Sequence, residues 1–131
     1  MNTATAEASD AKTEWYRIGN QRGRKLTYIK RLCRQIAEAF RPERIILFGS
    51  QAYGEPSPAS DIDLLVVMPY QAGHTTQAIQ ILNHLDVLAP IDLLVRSPQE
   101  VRERIAIGDR FMREIIERGK VMYEADHARM G

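Results

Sequence analysis

The sequence predicts a small α/β domain in which helices flank a mixed β-sheet. Three short apolar stretches, over residues 44–48, 61–68 and 91–95, have the β-branched and aliphatic content of buried strands. Stripes of apolar residues at helical spacing separate them, and glycine, proline or serine stands at most of the junctions. Alternation of helices and strands without internal repeats is typical of one α/β layer structure.

The first helix, the first strand and the turn after it are predicted from residues 25–60. Apolar residues recur at helical spacing from Lys25 to Phe40, and Pro42 disfavours helical geometry in the residue before it. Arg44–Phe48 is the first predicted strand. Ser50 is a predicted N-cap for a short helix through Tyr53, and residues 55–60 are a predicted loop.

A second strand, a helix and a third strand follow. Asp61–Met68 is predicted as a strand that Pro69 ends, and Ile91–Val95 as the next strand. Between them, Thr75 or Thr76 is expected to cap a helix that runs to about residue 88. The residues of this helix that we expect to face the core are Ile79, Leu82, Leu85 and Leu88.

The last third of the chain predicts two helices and a short edge strand. Ser97-Pro98 is typical of a helix start with proline in the first turn, and Gly108 is expected to break the helical pattern. The second helix should end at Gly119, and Lys120–Tyr123 is a predicted edge strand. The apolar side of that helix is predicted to carry Phe111, Met112, Ile115 and Ile116.

Composition bounds the kind of protein. With 131 residues, 44% hydrophobic residues and a net charge of +1, the chain has the composition of one globular domain, and nothing in its charge requires a nucleic acid or an anionic membrane as a partner. We expect residues 1–22 to be a disordered tail, 23–124 the domain and 125–131 a flexible end. A single cysteine, Cys33, and no apolar run near the roughly 18 residues of a bilayer span predict a cytoplasmic location.

Three aspartates are the candidate catalytic and metal-binding residues. Side chains two apart on a strand share a face, so Asp61 and Asp63 point one way while Ile62 points into packing. If Asp92 lies on a neighbouring strand at the same level, the three carboxylates converge. Such a cluster is costly without cations, and Mg²⁺ bound by carboxylates usually also holds substrate phosphates. The pattern therefore predicts metal-dependent phosphoryl or nucleotidyl transfer.

Gly49 and Ser50 are the candidate nucleotide-binding residues. Glycine lets backbone N–H groups approach a phosphate closely, and the start of the helix after it adds a positive dipole end. The Ser50 hydroxyl can donate to a phosphate oxygen. A plain strand–helix turn capped by serine explains the same residues, and both interpretations hold together.

Gly49-Ser50, ten residues and then Asp61-x-Asp63 form a pattern that resembles the DNA polymerase β-like nucleotidyltransferases. The flanking runs, IILFGSQAYG and SDIDLLVV, and the closing segment IIERGKVMYE are most similar to the minimal nucleotidyltransferases. These are small single-domain proteins, often the antitoxin of a pair whose toxin is a HEPN-domain protein. The resemblance covers roughly residues 25–124.

The resemblance implies an activity, a fold and a partner. It implies the polymerase β-like fold, with two Mg²⁺ ions held by Asp61, Asp63 and Asp92, the last of which also activates the attacking hydroxyl. ATP is the implied donor, and the implied acceptor is a tyrosine hydroxyl of a HEPN ribonuclease toxin, with which the chain forms a hetero-oligomer. Direct binding of nucleic acid and association with a membrane are not expected.

Two alternatives remain open. Many relatives carry basic residues after Gly-Ser, whereas this chain has Gln51 and Tyr53 there, which favours an antitoxin that only binds its toxin. Arg44, or a residue of the partner, would have to replace the missing cations. Transfer to a small molecule such as an aminoglycoside generally needs an added domain for the acceptor.

Other chemistry-bearing side chains are interpreted as structural. His74 and His84 have no metal-ligand spacing to another histidine, and Cys33 lies on the apolar stripe of the first helix. The basic residues of that helix are interpreted as a solvated face; they are Lys30, Arg31 and Arg34.

Overall fold

A four-stranded mixed sheet with helices on both faces forms the protein. The structure is a computed structural model, and it describes residues 22–53, 61–87 and 89–126. The elements are α1 (Arg22–Phe40), β1 (Arg44–Phe48), α2 (Ser50–Tyr53), β2 (Ile62–Val67), α3 (His74–His84), β3 (Ile91–Arg96), α4 (Pro98–Ala106), α5 (Arg110–Arg118) and β4 (Lys120–Glu124). The predicted α/β class is confirmed, and the strand bounds differ from the predicted ones by a residue or less.

Several predictions concern residues outside the described ranges. The expected N-terminal tail lies there except for its last residue, and so do the predicted loop over residues 55–60, Leu88 and residues 127–131. The division into a domain and two tails therefore stays a prediction. Among the described residues, no helix is both long enough and apolar enough to cross a bilayer.

The strand order places the ends of all four strands at a common edge. The order across the sheet is β3-β2-β1-β4, with β1 antiparallel to both neighbours and β2 parallel to β3. Parallel neighbours need a crossover, and α3 supplies it. The C-terminal end of β1 therefore meets the N-terminal ends of β2, β3 and β4. We call this edge of the sheet the Gly49 rim, because Gly49 directly follows β1.

The two faces of the sheet carry separate hydrophobic cores. Alternate residues of each strand point to opposite faces, so β1 and β2 contribute to both. The face under α1 and α3 buries Leu32, Ile36, Ile45, Leu47, Leu64, Val66 and Ile81, among others. The face under α4 and α5 buries Ile46, Phe48, Leu65, Val67, Val101, Met112 and Ile115. Covering both faces makes β1 and β2 rigid supports for whatever their ends carry.

α3 differs from its prediction in its bounds and at Ile79, whereas the predicted packing of Leu82 and Leu85 toward the core is confirmed. It begins at His74 after Gly73, with no side-chain cap, and it ends at His84. Ile79 is 52% exposed, whereas Ile81 is fully buried. The sequence contains two overlapping apolar stripes of helical spacing, and packing against the sheet selects the one that contains Ala78, Ile81, Leu82 and Leu85. Periodicity alone does not choose between them.

α4 and α5 begin at side-chain caps. The Ser97 hydroxyl accepts a hydrogen bond from Glu100 N at 3.1 Å, and the Glu100 carboxylate accepts one from Ser97 N at 2.8 Å, which forms a capping box. Asp109 accepts from Met112 N at 3.1 Å at the start of α5. The predicted break at Gly108 is confirmed, with a φ of 85° in the turn between the helices.

Gly119 ends α5 as predicted, for a packing reason. Its φ is −66°, so it does not use the left-handed conformation that glycine often supplies at helix ends. A Cβ there would lie 2.5 Å from Cγ2 of Ile46 and 3.0 Å from the carbonyl oxygen of Leu47. Glycine allows the chain to leave α5 directly against β1 and to pair with it as the edge strand β4.

Candidate active site

The three predicted aspartates lie together at the Gly49 rim. Asp63 and Asp92 are register partners on the adjacent parallel strands β2 and β3, and Asp61 precedes Asp63 by two residues. Asp63 also lies opposite Phe48, the last residue of β1. The expected placement of Asp92 on a neighbouring strand at the same level is present. What the three carboxylates do stays a prediction.

The carboxylates share the face of the sheet that α4 and α5 cover. Leu65 and Leu94 follow Asp63 and Asp92 by two residues and pack in the core of that face. Ile62 points the other way and is fully buried in the opposite core. Asp61 and Asp92 are exposed and Asp63 is half-buried, so the cluster opens to solvent along the rim.

Asp63 has the electrostatics of an acid crowded by other acids. Burial raises the pKa of its carboxyl above the ordinary value, and the negative charges of Asp92 and then Asp61 raise it further. Desolvation and like charge both disfavour the ionised form. A cation bound between these side chains would offset the repulsion and favour the ionised form of Asp63.

Gly49 packs directly against the side chain of Asp63. Its φ is 72°, in the left-handed region, and a Cβ on it would collide with Oδ2 of Asp63 and lie 3.1 Å from Cγ. Only glycine meets both conditions without strain. The turn and the carboxylate are therefore built as one unit, with the backbone of residue 49 in direct contact with the acid.

Ser50 has a different place in the turn from the one predicted. It is the first residue of α2 rather than its cap, and the Gly49 carbonyl accepts from Ala52 N at 3.0 Å and from Tyr53 N at 3.2 Å. Ser50 is exposed at the rim, where its hydroxyl is accessible. α2 has only four residues, so the helix dipole expected to favour phosphate is small.

The donor chemistry at the rim suits Mg²⁺. The side chains at the rim offer carboxylate oxygens, which hard divalent ions prefer. Within the described ranges, however, no three His, Cys, Asp or Glu side chains already form a metal-binding group. Mg²⁺ commonly binds one or two carboxylates and completes its shell with water and substrate phosphates, so it does not require such a group.

Comparison with known proteins decides the family. Residues 30–128 match the profile of the family described as Polymerase beta, Nucleotidyltransferase. The chain belongs to this family. A solved structure of a Sulfolobus solfataricus protein, named as a candidate nucleotidyltransferase, has a similar fold, with a TM-score of 0.54 and 16% identity over 91% of this chain and 88% of that one. No curated protein sequence matches the chain.

The nucleotidyltransferase does not use Arg44 to replace the missing cations. Arg44 begins β1, at the end of the strand opposite to the Gly49 rim, and its register partners are Val67 and Glu124. Its Nε lies 3.1 Å from Oε2 of Glu124, in an ion pair without the alignment of a hydrogen bond. Of the two sources of positive charge considered from the sequence, Arg44 is therefore excluded, because the length of β1 separates it from the turn.

Two side chains of α5 lie near the rim, and neither of them was given a place in the site from the sequence. Phe111 was predicted on the apolar side of the helix, but unlike Met112 and Ile115 it is not buried. The guanidinium carbon of Arg118 lies 4.4 Å from the centroid of the Tyr53 ring, which places a cation beside α2. Phe111, 54% exposed, contacts Phe48 edge to face with the ring centroids 5.7 Å apart. Both residues belong to α5. Only the resemblance of residues 115–124 to the closing segment of the family pointed to this region.

His74, His84 and Cys33, which are interpreted as structural from the sequence, lie away from the Gly49 rim. His84 packs edge to face against Phe40 at 5.6 Å, and His74 is exposed beside Tyr70 at 6.3 Å. Cys33 is 2% exposed in the core of α1, where burial raises the pKa of its thiol to about 12. A thiol held protonated in this way is not a nucleophile.

Proposed function

We propose that this chain transfers AMP from ATP to a hydroxyl group, and that it does so as the antitoxin of a HEPN ribonuclease toxin. The register pairing of Asp63 with Asp92 at the Gly49 rim, with Asp61 two residues away, carries the proposal. Crowded carboxylates beside a glycine turn have no structural advantage, since they repel one another. They are suited to a cation and a phosphate.

Each residue has a role in the proposed reaction. Gly49 and Ser50 bind the phosphates of ATP, with the Ser50 hydroxyl donating to a phosphate oxygen. Asp61 and Asp63 hold Mg²⁺, and Asp92, exposed at the edge strand, orients the acceptor hydroxyl and accepts its proton. The acceptor oxygen bonds to the α-phosphorus while the bond from that phosphorus to the bridging oxygen breaks, so pyrophosphate leaves and AMP stays on the acceptor.

Positioning and charge neutralisation supply most of the rate acceleration in such transfers. When bound, Mg²⁺ neutralises phosphate charge and lowers the pKa of the acceptor hydroxyl. The half-buried Asp63 is held by β1 and β2, whose residues are buried on both faces of the sheet. Its carboxylate is therefore preorganised, which lowers the reorganisation needed in the transition state.

The partner and acceptor in this proposal come from the resemblance to the minimal nucleotidyltransferases. AMP on a tyrosine of the toxin would place a bulky anion at its active region and silence its ribonuclease activity. The ten residues between Ser50 and Asp61 give the same spacing as in that group, and the closing segment is similar as well.

Mass spectrometry of the toxin tests the proposal. Incubated with ATP, Mg²⁺ and this protein, the cognate toxin should gain one or more AMP masses, located on a tyrosine. The double variant Asp61→Asn/Asp63→Asn should leave its mass unchanged, and Asp86→Asn, which removes an exposed carboxylate outside the rim, should act as the wild type does. An unmodified toxin with the wild-type protein would contradict AMP transfer to it.

A second function, neutralisation by binding alone, is favoured by one observation. Gln51 and Tyr53 stand where relatives carry cations, so the turn itself offers the triphosphate no positive side chain. Survival of cells that express the toxin separates the two functions. If the Asp61→Asn/Asp63→Asn variant protects cells as well as the wild type does, complex formation is sufficient; if protection is lost while the complex still forms, the transfer is required.

A further inference from the structure

Acidic and basic residues are distributed unevenly along the Gly49 rim. Following the strand order, the rim carries Asp92 on β3, Asp63 on β2, the Gly49 turn after β1, and Lys120 as the first residue of β4, where it pairs with Leu47. Arg118 ends α5 just before β4. Along the strand order, acids therefore precede the turn and two basic residues follow it. Arg118 ends the helix that covers the face of the aspartates, whereas Lys120 pairs with Leu47, whose side chain is buried in the opposite core.

Arg118 is held at this place by contacts with α2. Its guanidinium lies over the face of Tyr53, 4.4 Å from the ring centroid, and Tyr53 N donates to the Gly49 carbonyl at 3.2 Å. A guanidinium stacked on an aromatic face keeps its edge N–H groups available for an anion. The tyrosine that replaces a basic residue of the family pattern thus positions a cation from another element.

The packing of Gly119 fixes where Arg118 lies. Because a Cβ at residue 119 would meet Ile46 and the carbonyl of Leu47, the backbone between Arg118 and Lys120 lies directly against β1. Lys120 then pairs with Leu47, two residues before Gly49. The position of Arg118 relative to the turn is therefore fixed by the packing of Gly119 against β1.

We infer that Arg118 binds the β- and γ-phosphates of the donor nucleotide, in place of the cations absent at residues 51 and 53. This inference rests on the proposed function and adds the orientation of the substrate: the α-phosphate lies toward the aspartates and the pyrophosphate end toward α5. The order of charges along the rim matches an elongated anion that needs Mg²⁺ at one end and a fixed cation at the other.

The competing explanation is that Arg118 only stabilises the fold. It pairs with Glu114, four residues earlier, at 3.1 Å, but the two side chains are 56% and 45% exposed. An exposed pair of this kind contributes little to stability. A phosphate group therefore has little to displace when it binds the guanidinium.

Calorimetric titration with α,β-methylene-ATP in the presence of Mg²⁺ tests the inference. Arg118→Gln should weaken this binding about tenfold, as expected for the loss of a charge-assisted contact to phosphate, and should leave AMP binding unchanged. Arg118→Lys should restore part of the affinity. Arg113→Gln, an exposed arginine on the same helix, is the matched control and should bind as the wild type does.

The outcomes separate this inference from the proposed function. Undiminished affinity of Arg118→Gln for the ATP analogue, together with weakened binding by Asp63→Asn, would overturn the role of Arg118 and leave the proposed function standing. Equal losses for the ATP analogue and AMP in Arg118→Gln would also overturn it, because they indicate a structural effect. A wild-type protein with no affinity for the analogue would overturn the proposed function itself.

Discussion

The carboxylate of Asp63 fills the space that a side chain at residue 49 would need. Gly49 follows β1 and Asp63 lies on β2, yet the contact leaves no room for a Cβ, and the left-handed φ of Gly49 independently disfavours one. The glycine of the turn and the second aspartate of the Asp-x-Asp pair are thus one structural unit. Their spacing along the sequence reflects this contact.

Replacing Gly49 tests that unit. Gly49→Ala should lower the free energy of unfolding by about 2–4 kcal/mol, since it adds overpacking to the strain of a positive φ, and it should also abolish nucleotidyl transfer. Gly108→Ala is the matched control, because Gly108 has a φ of 85° but open space around its Cβ position. Its cost should be about 1 kcal/mol with activity retained. Equal costs in urea unfolding would contradict the contact.

Neutralising Asp63 should stabilise the protein that lacks ligands. Its pKa is raised above 3.8 on folding, so the folded state binds more protons than the unfolded one between the two pKa values. Stability from this group is therefore present at low pH and lost as the pH rises through the folded pKa. At pH 7, Asp63→Asn should melt higher than the wild type, on the order of 2 °C, and the difference should vanish below about pH 4.

Binding of Mg²⁺ should stabilise the wild-type protein by neutralising the same charges. Saturating Mg²⁺ should raise the melting temperature of the wild type at pH 7 and leave that of Asp63→Asn nearly unchanged, because ligand binding to the folded state shifts unfolding. Asp86→Asn should respond to Mg²⁺ as the wild type does. If Asp63→Asn melts below the wild type at every pH, the proposed repulsion between Asp63 and its neighbouring acids is contradicted.

Two isoleucines of α3 test its orientation. Ile81→Ala should cost about 2–5 kcal/mol, because it opens a cavity under a fully buried side chain. Ile79→Ala, in the same helix at 52% exposure, should change stability by about 0.5 kcal/mol or less. Urea unfolding of the two variants measures both values. The reverse ranking would restore the burial of Ile79 that the sequence predicts.

The start of α4 depends on the Ser97 cap. Ser97→Ala removes the acceptor for Glu100 N and should cost about 1 kcal/mol, whereas Ser97→Thr keeps a hydroxyl and should cost less. Thermal melts at pH 7 compare the two. Identical melting temperatures for all three proteins would show that the cap is dispensable.

Local sequence patterns were sufficient to predict the positions of the strands and the shared direction of two aspartates on one strand. β1 and β4 begin where the sequence predicts, because short β-branched runs bounded by proline and glycine have few alternative structures. The common direction of Asp61 and Asp63 follows from the two-residue period of a strand. The buried face of α3 was harder to predict, because two apolar stripes of helical spacing overlap in its sequence and neither is preferred locally.

The sequence by itself determined the α/β class, the glycine turn and the spacing of its acids, since these depend on periodicity and turn chemistry within a few residues. Only the tertiary structure decided that Asp92 is level with Asp63, that Arg44 is at the far end of its strand, and that Arg118 approaches Tyr53. Strand order and register set these relationships. They arise from the packing of residues far apart in the chain, which no local pattern records.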